Sequence, residues 1–133
     1  MKLTNGEIFV VENGLRLAVE ELRKSAVKSL GLNTVVARNL KLVSDLCQTF
    51  RKEISEFMPD ELRKLNEKKD QLSTDEIETK ADLTKQYNAE VNKFLEDVSD
   101  VDFFKLNISM ESLSNVELGY DTSNILQLIL LGE

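Results

Sequence analysis

Acidic side chains are the residues here whose type and spacing could do chemistry. Glu78 and Asp82 stand four apart, on one face of any helix that carries them, and such a pair could take a divalent cation. Asp75 and Glu76 crowd the same region, and Asp97, Asp100 and Asp102 form a second cluster. A hard cation needs more converging oxygens than one exposed helix offers, and acids at a helix start are already favoured by the helix dipole. Both clusters therefore read as solvated helix ends, and no metal ligand is assigned. Histidine is absent, which excludes Ser-His and Cys-His dyads and imidazole ligands. The single cysteine, Cys47, lies in an apolar helical pattern and reads as a small buried hydrophobe. Glycine-rich phosphate loops are missing. The sequence thus predicts no catalytic residue and no cofactor, and the chain reads as a non-enzyme.

The charge balance narrows the partners. There are 24 acids against 17 bases in 133 residues, a net charge of −7, which argues against nucleic acid as the main partner. Residues 1–58 carry nine bases and seven acids, residues 59–99 seven and eleven, and residues 100–133 one and six. A weakly basic first part could therefore sit against an acidic tail, within one molecule or between two. The nearest basic cluster, Arg63, Lys64, Lys68 and Lys69, is interleaved with Glu67 and flanked by Asp60, Glu61 and Asp70, which describes a mixed helix surface. The N-terminal residues do not form a signal peptide, and no apolar stretch approaches the ~20 residues that span a bilayer. A soluble cytoplasmic protein without membrane contact is expected.

The elements that must position these residues are mostly helices. Thr4 and Glu7 are spaced as a capping box, and Ile8, Val11, Leu15, Ala18, Val19 and Leu22 follow at three- and four-residue steps. This predicts a helix over about 5–24, with Gly14 as a close packing point or bend, yielding between Ser25 and Gly31. Asn33 is the expected N-cap of a second helix. Its seam, Val36, Leu40, Val43, Cys47, Phe50, Ile54 and Phe57, alternates steps of four and three. Pro59 reads as a kink or restart before a charged stretch to Leu72. Ser73 and Glu76 make a second capping box for a helix to about Val98, with Leu83, Tyr87, Val91, Phe94 and Val98 on one face. Two seamed helices joined by a polar connection should pack antiparallel. A reversal near Glu67 would set Phe57 near Ile77, and Leu40 and Val43 near Phe94 and Val91.

Beyond Val98 the pattern changes. Leu106 and Ile108 alternate with polar residues, which predicts a short extended segment, with Met1–Leu3 as a candidate strand partner. Ser109 and Asp121 or Thr122 read as caps, and Gly119–Thr122 as a turn. The last helix, from Ser123 to about Leu131, is apolar nearly all round and must be buried in this chain or against a partner. The expected fold is mainly α, one domain over 1–133. It is an antiparallel, coiled-coil-like helical hairpin with a packed N-terminal helix and a C-terminal segment of short extended stretch plus apolar helix. Residues 59–76 form its charged tip, which has few apolar residues and is expected to project or to pair with another copy.

The opening Met1-Lys2-Leu3-Thr4-Asn5-Gly6-Glu7-Ile8 resembles the start of a family of small uncharacterised bacteriophage and prophage proteins. So do the phrase Val36-Ala37-Arg38-Asn39-Leu40, the charged hairpin, Ser112–Leu118 and the apolar end Ile125–Leu131. The segment Arg23–Leu32 departs from the family by lacking its L-P-V lead into the long helix. The resemblance implies a phage origin and a place in the bacterial host cytoplasm or the virion, and it carries over no catalytic motif.

These readings converge on a protein that works by binding another protein, of phage or host, or itself as a homo-oligomer. Assembly, chaperoning and inhibition of a host defence protein all fit, and a structural virion component forming a fixed oligomer is the alternative. A carboxylate-based enzyme or ligand-binding module is disfavoured, because it needs a concave pocket with perturbed acids. Candidate partner-binding residues are Phe103, Phe104, Ile125, Leu128 and Ile129; of the Phe103–Phe104 pair, one ring is expected in the core and one half-exposed.

Overall fold

A computed structural model describes residues 1–24, 30–69, 71–105 and 124–127. The elements run β1 (Lys2–Thr4), α1 (Asn5–Lys24), α2 (Leu30–Phe57), α3 (Asp60–Lys68), α4 (Thr74–Glu96) and β2 (Val98–Asp100), and residues 124–127 are helical. The protein is mainly helical with a small antiparallel sheet. No helix among the described residues is long and apolar enough to cross a membrane. The chain divides into two units, Met1–Cys47 with Val98–Glu133, and Gln48–Asp97.

In the first unit, α1 begins at its capping box. The Glu7 amide donates to the Thr4 hydroxyl at 3.1 Å, and the Thr4 amide donates to the Glu7 carboxylate at 2.9 Å. Two of the four N–H groups that a helix start leaves unpaired are thereby satisfied. Ile8, Val11, Leu15, Ala18 and Leu22 then turn one stripe inward, and all are buried. Leu32, Val36, Val43 and Cys47 supply the α2 side of this core, with Leu3, Val101, Phe103 and Leu126 from outside the two helices. Burying each large aliphatic side chain contributes roughly 1.5–3 kcal/mol. The Cys47 thiol points at the Ile8 carbonyl, 3.8 Å away, and takes the place of a small hydrophobe.

Gly14 is the packing point its position suggested. A Cβ built there would lie 2.5 Å from Cγ1 and 2.8 Å from Cδ1 of Ile125, so glycine is what lets the 124–127 helical turn settle on α1. The start of α2 departs from expectation. Gly31 and Asn33 both lie inside the helix, neither stopping nor capping it. Leu32 and Val36 are buried one turn apart, and their burial outweighs the ~1 kcal/mol that a helical glycine costs.

The N-terminal residues do form a strand, β1, and it pairs with β2 in the register Lys2↔Asp100, Leu3↔Ser99 and Thr4↔Val98. The Val101 amide extends the ladder to the Met1 carbonyl at 2.8 Å. Val98 accordingly belongs to a strand, and α4 stops at Glu96, with Asp97 already extended at its C-cap. The expected strand at Leu106–Ile108, the caps at Ser109, Asp121 and Thr122, and the turn at Gly119–Thr122 lie outside the described residues.

In the second unit Pro59 precedes α3, with its φ of −60° matched to a helix start. Leu62 and Leu65 of α3 are buried, so apolar contacts reach into the charged stretch. Lys69 ends α3 at a positive φ of 52°. Ser73 then opens α4 with a complete capping box to Glu76. Helix α3 takes up the residues after Pro59 as far as Lys68, past the Glu67 near which a reversal was expected. The pairing shifts to match: Phe94 meets Phe50 edge-on at 5.3 Å between centroids, and Phe57 stacks on Tyr87 at 6.4 Å. The expected partner of Phe57 was Ile77, and that of Phe94 was Leu40.

The C-terminal end of α2 is closed by side chains of the other two helices. The Tyr87 hydroxyl donates to the Ile54 carbonyl at 2.6 Å, and Arg63 donates to the Ser55 carbonyl at 2.6 Å. Both carbonyls belong to the last turn, where helical pairing runs out, and that of Ser55 also accepts from the Met58 amide at 3.3 Å.

Candidate functional site

Helices α2 and α4 form a groove in the second unit. Its floor is apolar: Ile54 and Phe57 from α2, Val91 and Phe94 from α4. Helical periodicity puts each pair on one face, and the Tyr87 bond to Ile54 together with the Phe50–Phe94 contact sets the helices side by side. The rim is charged, with Glu53 on one wall and Glu90, Lys93 and Asp97 on the other. Lys93 bonds Glu90 at 3.2 Å. The enclosed space is about 300 Å³. Phe57 is 58 % exposed although its ring is stacked on Tyr87, so an apolar edge stands open to solvent.

The other exposed large apolar residues of this unit include Ile77, at 56 %. Helix α4 buries no residue in its 23, while α1 buries eight in 20. The face of α4 carrying Ile77, Ala81, Thr84 and Asn88, with Lys80 and Lys85 beside them, forms a second, shallower concavity.

The seam residues predicted from sequence separate into three groups. Val36, Val43, Cys47 and Phe50 are buried, Leu40, Ile54, Tyr87, Val91 and Phe94 are half-buried, and Phe57 is exposed. The candidate binding residues also divide. Phe103 is buried and Phe104 is 46 % exposed, the split expected of the pair. Ile125 is half-buried against Gly14. Leu128 and Ile129 lie outside the described residues.

Phe104 is held by a contact that sequence reasoning did not single out. The buried Asn39 amide donates to the Phe104 carbonyl at 2.9 Å, and its oxygen accepts from the Phe104 amide at 2.8 Å. One side chain thus serves both polar groups of one residue, as a neighbouring strand would. Arg38 lies over the Phe104 ring, 6.0 Å from its centroid. The signal was present: Asn39 falls between Val36 and Val43 on the buried stripe, where a polar residue must have partners. The rim charges were missed too, although Glu53, Glu90 and Lys93 each immediately precede a seam residue, as flanking charges of a helix pair do.

Among the described residues no group of three or more His, Cys, Asp or Glu is placed to hold a metal ion. Glu76 has its carboxyl lowered from the ordinary glutamate value, first by the Lys68 ammonium that bonds it and then by the Ser73 backbone amide. Its role is to join α3 to the start of α4. No protein-family model, curated protein or solved structure matches the chain.

Proposed function

We propose that this chain is a non-enzymatic, phage-encoded protein that acts by binding another protein, as an assembly or chaperone factor or as an inhibitor of a host defence protein. The observation that carries the reading is the open apolar groove of the second unit, with Phe57 more than half exposed along a helix pair whose α4 buries nothing. Isolated apolar residues on a surface are ordinary, but a concave apolar strip with a charged rim has the anatomy of a binding interface. The coiled-coil-like spacing of the α2 and α4 seams supports the same reading, since such seams accept further helices. The opening sequence phrase supports the phage origin.

The test is site-specific photo-crosslinking in bacteria producing the full chain. A photoreactive residue at Phe57 should give a discrete adduct with another protein, and one at the exposed Asn13 of α1 should not. Light scattering of the purified protein separates the alternative: a fixed oligomer whose only Phe57 adduct is with itself would make it a structural component. Thermal stabilisation by nucleotides or divalent cations, without any adduct, would favour a ligand-binding module and defeat the proposal.

A further inference from the structure

The groove's chemistry also selects among protein partners. We infer that its occupant is an amphipathic helix whose apolar face is flanked by lysine or arginine, a deduction that rests on the protein-binding reading above. The floor is lined by Ile54, Phe57, Val91 and Phe94, all carbon surface at helix spacing on two neighbouring helices. A third helix is the shape that fills such a groove, reading it through residues at i, i+3, i+4 and i+7. The rim sets the sign. Glu53, Glu90 and Asp97 face one lysine, and that lysine is already engaged by Glu90. An incoming helix with bases beside its apolar face would pair with acids on both walls, and one with acids there would be repelled.

The rim also bears on the other occupants. A second copy packing groove to groove would set a rim of three acids and one lysine against the same rim, an arrangement that the excess of like charge opposes. A small polar ligand would need buried polar groups to fix it, but the charged groups lie on the exposed rim, and the Tyr87 hydroxyl is committed to Ile54.

The experiment uses fluorescence anisotropy with two synthetic 18-residue helices, identical in their leucine face, one flanked by lysines and the other by glutamates. The lysine peptide should bind the full-length protein one-to-one, and more weakly as salt rises. Glu53→Lys with Glu90→Lys should weaken it by about tenfold or more and should raise the affinity of the glutamate peptide. Phe57→Ala, at an exposed position that leaves the fold intact by circular dichroism, should weaken both. Equal binding of the two peptides overturns the inference, as does binding of neither. Self-association that Phe57→Ala abolishes would assign the groove to a second copy and overturn it too. If neither peptide binds while the Phe57 crosslink to another protein persists, the assignment of a basic helix falls and the protein-binding reading stands. Loss of the crosslink removes both.

Discussion

Asn39 is a buried polar side chain of the first unit that serves the backbone of Phe104. Replacing it with leucine keeps the branched outline but leaves the Phe104 amide and carbonyl without their partner. Stranding partly buried polar groups costs about 1–3 kcal/mol. Asn39→Leu should therefore lower the urea midpoint by an amount equivalent to about 2 kcal/mol, with the slope unchanged. Gly14 makes the opposite case, in which adding atoms does harm. Alanine would gain up to ~1 kcal/mol of helix propensity, but its Cβ would overlap Ile125 at Cγ1, an atom fixed close to its own backbone. Overpacking of this kind costs typically ~1–3 kcal/mol, so Gly14→Ala should destabilise. Adding Ile125→Ala should make the two effects non-additive, which a double-mutant cycle in denaturant will show.

At the scale of elements, the end of α2 is held by side chains from α3 and α4. Tyr87→Phe removes the bond to Ile54 and should cost about 1 kcal/mol, and Arg63→Ala a similar amount. Thermal melts of the single and double variants check this, and the double variant should fray the last turn of α2. The joint between α3 and α4 is sensitive to pH. The Glu76 carboxyl is lowered in the folded state, so its stabilising effect is complete above the ordinary value of 4.5 and is lost as pH falls through the lowered value. A carboxyl titration by NMR should place Glu76 below the ordinary glutamate value, and Lys68→Met should move it back up. These elements also show what a sequence alone carries. Both capping boxes and the span of α1 were legible, because each rests on spacings of three or four residues along the chain. The register of α2 against α4 was not, because it depends on how many residues the connection consumes. Leu62 and Leu65 fold those residues into α3, a tertiary gain that no local spacing displays. Likewise the groove floor could be read from the heptad steps and its rim from the charges beside them, while which of these charges share one groove depends on that register.

At the scale of the whole molecule, the two units differ in how they protect their backbones. Eight buried residues anchor α1, and none anchors α4. Local opening is governed by such contacts, so amides of α4 should exchange with deuterium about tenfold faster or more than those in the middle of α1. Hydrogen-exchange mass spectrometry with peptic fragments from each helix reads this directly. A partner seated in the groove should slow α4 and leave α1 unchanged.

Cys47 gives the chain a means of reporting on itself. It is the sole thiol, wholly shielded at the end of the first unit's core, and the chain has no tryptophan to serve as an optical signal. A thiol reagent can reach it only when that core opens. The labelling rate, divided by the rate for a free thiol, gives the fraction of time spent open, and so a free energy measured under native conditions without denaturant or engineered probe. The sulfur that plays no part in the proposed chemistry thus serves as a one-atom stopwatch for the fold.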